Sequence, residues 1–104
     1  MGQRSIYLAG PITGVTNYWK LFEVAEDELQ SKGYVVLNPA VLPVGLSYEQ
    51  YTQIDLAMLM AADAVLFLPG WPRSRGACME MQVCQYIQKP YAESITKLEE
   101  VLNG

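Results

Sequence analysis

Short apolar runs alternate along this chain with longer stretches in which apolar residues recur at helical spacing. Residues 4–9 (RSIYLA) form a compact apolar run ending at Gly10-Pro11, the pattern of a buried strand followed by a loop. From Thr16 or Asn17 to Lys32 the period turns helical. Trp19, Phe22, Ala25 or Glu26, and Leu29 share a stripe, and Gly33 stands where a C-terminal cap belongs. Residues 34–37 (YVVL) predict a second buried strand closed by Asn38-Pro39, and a loop containing proline and glycine runs to about Leu46. Ser47 followed by Gln50 is a capping box, so a second helix is expected over 48–61. Residues 64–68 (AVLFL) are apolar throughout, as in a central parallel strand covered on both faces. Pro69-Gly70-Trp71-Pro72 breaks that strand, and Ser74 caps a third helix reaching about Gln88. Residues 89–92 predict a short edge strand and 94–102 a last helix.

A strand–helix unit repeated four times predicts an α/β fold, a small three-layer sandwich around a parallel sheet of four or five strands. The 104 residues fit one domain spanning 1–104. With 51% hydrophobic residues and a net charge of only −4, the chain is expected to fold rather than stay disordered. No run approaches the ~18 apolar residues of a membrane span, and the amino terminus is not expected to be a signal peptide. The expected setting is the cytoplasm, with no membrane partner.

Composition also narrows the chemistry. The chain has no histidine, which excludes a Ser-His-Asp triad, a Cys-His pair and a histidine metal site. Cys78 and Cys84 fall in one predicted helix and are expected to be reduced core residues. No metal and no cofactor are expected. The negative net charge argues against binding a nucleic-acid polymer. Catalysis, if any, rests on carboxylates, hydroxyls and backbone amides.

In parallel sheets ligands bind where strands give way to helices at their carboxyl ends. Residues 10–14, 38–46 and 69–80 fall there. In the first, Gly10 and Gly14 allow close backbone approach, with Pro11 between them and Thr13 adding a hydroxyl, an arrangement suited to an anion or a sugar. The spacing is neither a dinucleotide fingerprint nor a phosphate-binding Walker loop, and an ordinary tight turn is an equal alternative. In the third, LPGWPRSRGACME, Ser74 caps the helix while Arg73 and Arg75 flank its positive end beside Gly76. Phosphate is the natural ligand there; the alternative is a capped helix with two solvent-facing arginines. Glu80 shares a helix face with Gly76, Ala77, Val83, Cys84 and Ile87, so it should point toward the sheet. A buried carboxylate needs a partner or a purpose, and the helix dipole is expected to help keep it ionised as a nucleophile. Asp55 on the second helix and Tyr7 on the first strand are placed to reach the same crevice, or to serve the core. Asp63 opens the third strand away from that crevice and is expected to be structural. Tyr48, Tyr51, Trp19 and Trp71 are available to stack on a base.

Three segments, IYLAGPITG, DLAMLMAADAVLFLPG and SRGACMEMQVCQYIQKP, resemble the nucleoside 2-deoxyribosyltransferase-like family, closest to its short, phage- and prophage-associated uncharacterised branch. The likeness runs over roughly residues 5–91 in the family's order. It implies a flavodoxin-like or Rossmann-like fold and cleavage of the N-glycosidic bond of deoxynucleosides or their 5′-monophosphates by a glutamate nucleophile. Glu80 matches that glutamate in an S-x-G-x-x-x-E pattern and Ser74 the phosphate-contacting serine. Tyr7 matches a tyrosine near the nucleophile, Gly10 and Gly14 the sugar- and phosphate-side loop, and Asp55 an aspartate of the preceding helix. The chain departs from the true transferases in carrying Arg73, Ser74 and Arg75 where those have an acidic residue that handles the base. The resemblance further implies a homodimer or a multiple of one, with the Trp71 region expected at the interface. Two other functions remain open from sequence: a non-catalytic phage protein that captures a nucleotide or nucleotide-derived signal, and a structural or regulatory subunit with a vestigial pocket.

Overall fold

The computed structural model describes residues 3–104. Four strands, β1 (Ser5–Ala9), β2 (Val35–Leu37), β3 (Ala64–Phe67) and β4 (Tyr91–Ala92), alternate with four helices, α1 (Tyr18–Ser31), α2 (Tyr48–Ala61), α3 (Arg75–Ile87) and α4 (Ile95–Asn103). Each helix follows the strand of the same number. The sheet is parallel throughout, with strand order β2-β1-β3-β4. This is the α/β sandwich expected from the alternation, in a flavodoxin-like or Rossmann-like arrangement.

Burial on both faces explains why the strands are continuously apolar. Along β1, Ile6 and Leu8 join Leu66, Phe22, Leu29 and Leu98 on the α1/α4 side. Tyr7 and Ala9 join Val65, Phe67, Leu59, Met81 and Cys84 on the α2/α3 side. The period-2 alternation of a strand thus assigns neighbouring residues to different cores.

The helix starts follow their capping chemistry. Ser47 accepts from the Gln50 amide while the Gln50 side chain accepts from the Ser47 amide, completing the capping box. Ser74 accepts from the Ala77 amide and Ser94 from the Lys97 amide. At the opposite end of the sheet, Asp63 Oδ2 accepts from both the amide and the hydroxyl of Ser5, the structural role expected of it.

One aromatic expectation fails. Trp19 is 49% exposed, because α1 turns Phe22, Ala25 and Leu29 inward and leaves Trp19 off that stripe. Trp71 is half-buried: its ring packs on Phe67 at a centroid distance of 5.2 Å, and its indole N–H donates to Glu93 at 2.9 Å. Both cysteines are free thiols, Cys84 buried and Cys78 half-buried. No helix among the described residues is long and apolar enough to cross a membrane.

The strand order reverses between β1 and β3, each of which leads to a helix on a different side, and this opens a crevice at their carboxyl ends. Gly10 lies at its base. A Cβ there would sit 3.1 Å from Leu68 Cβ and 3.4 Å from Phe22 Cζ, so a larger residue would have to push these side chains aside where the chain leaves β1 close to β3.

Candidate active site

A cavity of about 200 Å³ occupies that crevice. The loop after β1 contributes Gly10, Ile12 and Thr13, and α1 contributes Tyr18. The segment after β2 gives Pro39, Leu42 and Val44; α2 gives Tyr48, Tyr51, Thr52 and Asp55; and the start of α3 gives Ser74 and Gly76. All three loop segments expected at the carboxyl ends of the strands therefore meet in one place.

Beneath it lies a buried polar cluster. Tyr7 projects from the α2/α3 face of β1, and its hydroxyl donates to Glu80 Oε2 at 2.6 Å. Tyr7 and Glu80 are 1% and 5% exposed, so this contact is sealed from bulk water. Asp55 comes from α2 on the same side, and its Oδ1 is buried without a hydrogen-bond partner. An orphaned buried carboxylate oxygen is costly to maintain, and Asp55 is also a lining residue of the cavity.

Burial dominates the electrostatics of this cluster. Desolvation lifts the Glu80 carboxyl to about 7; the Tyr7 hydrogen bond opposes the rise, and the nearby Asp55 adds to it. The dipole of α3, expected to keep Glu80 ionised, acts mainly in the first turn, and Glu80 lies beyond that turn. Desolvation also lifts Asp55, to about 6. Burial first, then the charge of Glu80, raises Tyr7 well above the usual phenol range, so it remains a neutral donor. Cys84 is pushed up to about 11, again by burial and then by Glu80, which leaves it an inert thiol. Between about pH 6 and 7 the Glu80–Asp55 pair therefore holds about one proton between two carboxylates, mostly on Glu80, whose value is the higher.

The structure sorts the residues anticipated from sequence. Gly10, Thr13, Asp55, Ser74 and Gly76 line the cavity, and the Tyr7–Glu80 pair lies beside Asp55, whose charge reaches both. Pro11, Gly14, Arg73 and Arg75 are not among the lining residues. Gly14 is exposed in a turn at φ +76° that meets no neighbour. Arg73 folds back so that its Nη2 would lie 3.2 Å from a Cβ at Gly70, whose φ of +87° makes the turn after β3. Arg75 is exposed at the start of α3. Of the four candidate stacking aromatics, only Tyr48 and Tyr51 line the cavity.

Tyr18, Thr52, Pro39, Leu42 and Val44 also line the cavity without having been singled out. For Pro39, Leu42 and Val44 the one signal in the sequence is position, since residues 38–46 fall at the carboxyl end of a strand; Tyr18 and Thr52, on α1 and α2, carried none. Among the described residues, no group of three or more His, Cys, Asp or Glu side chains is placed to hold a metal ion.

The family described as Domain of unknown function (DUF4406) matches residues 4–92. No curated protein matches the chain. Among solved structures, a 2-deoxyribosyltransferase from the psychrotolerant bacterium Bacillus psychrosaccharolyticus has a similar fold, with a TM-score of 0.66 and 23% identity over 84% of this chain and 69% of that one. That protein is described as a biocatalyst for nucleoside synthesis.

Proposed function

The chain belongs to the DUF4406 family, whose description names no activity, and from the site we propose that it cleaves the N-glycosidic bond of deoxynucleosides or their 5′-monophosphates. The observation that carries this is the sealed Tyr7–Glu80 contact of 2.6 Å beside the orphaned Asp55 oxygen. Glycosidic chemistry needs two carboxylates in different protonation states and no histidine.

In the proposed first step a Glu80 oxygen bonds to C1′ as the C1′–N bond breaks. The bonding pair leaves on the base nitrogen, which takes a proton from Asp55. Water then attacks C1′, giving its proton to the Asp55 carboxylate and releasing Glu80 and the sugar. Tyr7 orients the attacking carboxylate and stabilises its charged form. Ser74, Gly76 and the amides at the start of α3 face the sugar end, where a 5′-phosphate would sit on the helix N-terminus. Arg73 and Arg75 would supply charge from outside the cavity. The proposed setting is the cytoplasm of a bacterium or a phage-infected cell, and the proposed working unit a homodimer.

The test is to incubate pure protein with a panel of deoxynucleosides and deoxynucleoside monophosphates and to follow free base by chromatography. Base release that Glu80→Ala reduces by about 10³-fold or more supports the assignment. Release that survives Glu80→Ala overturns the nucleophile. One observation favours a second function, capture without turnover: Glu80 does not itself line the cavity. A nucleotide-induced thermal shift with no free base would establish that alternative.

A further inference from the structure

Residues 38–46 bridge β2 and α2 through a 3₁₀ turn (Pro39–Val41) and a loop, held at both ends by side chains. At its start, Asn38 is 7% exposed; its Nδ2 donates to Glu26 of α1 at 2.8 Å and its Oδ1 accepts from the Ala40 amide at 2.8 Å. At its end, the Tyr51 hydroxyl donates to the Pro43 carbonyl at 2.6 Å and accepts from the Leu46 amide at 3.3 Å. Between the anchors the segment turns Pro39, Leu42 and Val44 to the cavity, although Val44 is 85% exposed. Tyr48, 68% exposed, faces the same opening from α2.

The cavity is thus divided by chemistry. Asp55, Ser74 and Gly76 form a polar side, whereas Leu42, Val44 and Tyr48 form an apolar wall that remains wet in the free protein. A flat heteroaromatic ring covers such a wall, and a sugar or phosphate does not. Tyr51 belongs to this wall yet spends its hydroxyl entirely on the segment's own backbone. That bond holds the segment in place before a ligand arrives, so less ordering is required on binding.

We infer that Tyr51 is the positioning residue of a strap, residues 38–46, whose apolar wall receives the base of the ligand. This inference rests on the nucleotide-cleaving function proposed above and assigns one side of that site to the base.

The experiment uses Tyr51→Phe, which keeps the ring and removes only the hydroxyl, and Glu26→Ala, which releases the other anchor. Binding is measured by calorimetry for two probes, adenine and 2-deoxyribose 5-phosphate, with hydrogen exchange followed at the Leu46 amide. Tyr51→Phe is expected to speed Leu46 exchange and weaken adenine about fivefold to tenfold, while 2-deoxyribose 5-phosphate changes less than about twofold. Glu26→Ala should repeat the split more weakly, and protection of the β1 and β3 amides should not change in either variant. Equal losses for both probes, or none for adenine, overturn the strap while leaving the proposed function standing. Wild-type protein that binds neither probe overturns both.

Discussion

The two faces of the sheet are built from the same strands and do different work. On the α1/α4 face, Ile6, Leu8, Leu66 and Leu68 pack against Phe22, Leu29 and Leu98, and the buried polar side chain on that side, Asn38, is satisfied by Glu26 of α1 and the Ala40 amide. On the α2/α3 face, Val65, Phe67, Leu59 and Met81 give a comparable apolar floor, but Tyr7 enters it with its hydroxyl and Glu80 lies buried alongside. Adjacent residues of β1, Ile6 and Tyr7, thus belong to opposite regimes. One face gains stability from burial; the other gives some of it up to bury the Glu80 carboxylate beside a half-buried Asp55.

The comparison breaks most sharply at Leu29. Leu29→Ala opens a cavity in the all-apolar core and should lower unfolding free energy by about 2–5 kcal/mol in denaturant titrations. The folded variant should keep its ligand affinity, since Leu29 lies on the face away from the site. A variant that loses affinity while still folded would show that the two faces are coupled.

The polar face should reveal itself through pH. Glu80 and Asp55 titrate at about 7 and 6 in the folded protein, above their ordinary values of 4.5 and 3.8. Because burial raises both, their contribution to stability is fully present below the unfolded values and is lost as pH rises through 6 and 7. Unfolding free energy should therefore fall by on the order of 2 kcal/mol between pH 5 and pH 8. Glu80→Gln should flatten most of that slope, whereas Leu29→Ala should shift the whole curve and keep its shape. If turnover is found, kcat/KM should be bell-shaped with limbs near those two values. The productive form, with Glu80 ionised and Asp55 protonated, is the minority tautomer of the singly protonated pair, because Glu80 has the higher value.

The smallest effect concerns Ser74, which caps α3 and lines the cavity at once. Ser74→Ala should cost about 1 kcal/mol of stability by thermal unfolding. It should also weaken a deoxynucleoside monophosphate more than the corresponding nucleoside, compared by calorimetry. Equal weakening of both would assign Ser74 to capping alone.

Much of the architecture was legible because it depends on local pattern. The apolar run 64–68, the capping box at Ser47 and the cap at Ser74 each fix one element through short-range chemistry, and the parallel order follows from alternation. Glu80 was legible too, since its helix face could be read from spacing. What could not be read depends on how elements come together. Arg73 and Arg75 stand beside Ser74 in sequence, yet Arg73 folds back over Gly70 and neither side chain lines the cavity. The contacts of Trp71 with Phe67 and Glu93 likewise join residues from separate elements. The Tyr51 tether joins a helix to its own preceding loop through a single hydroxyl, which no periodicity records.

The unpartnered oxygen of Asp55 has a consequence for calorimetry. A ligand that donates to it favours the ionised carboxylate, while one that accepts from it favours the acid, and either choice moves a proton between protein and buffer. The measured heat of binding near neutral pH should then change with the ionisation enthalpy of the buffer. The slope of that dependence counts the protons exchanged, and its sign tells whether the ligand meets Asp55 as a donor or as an acceptor.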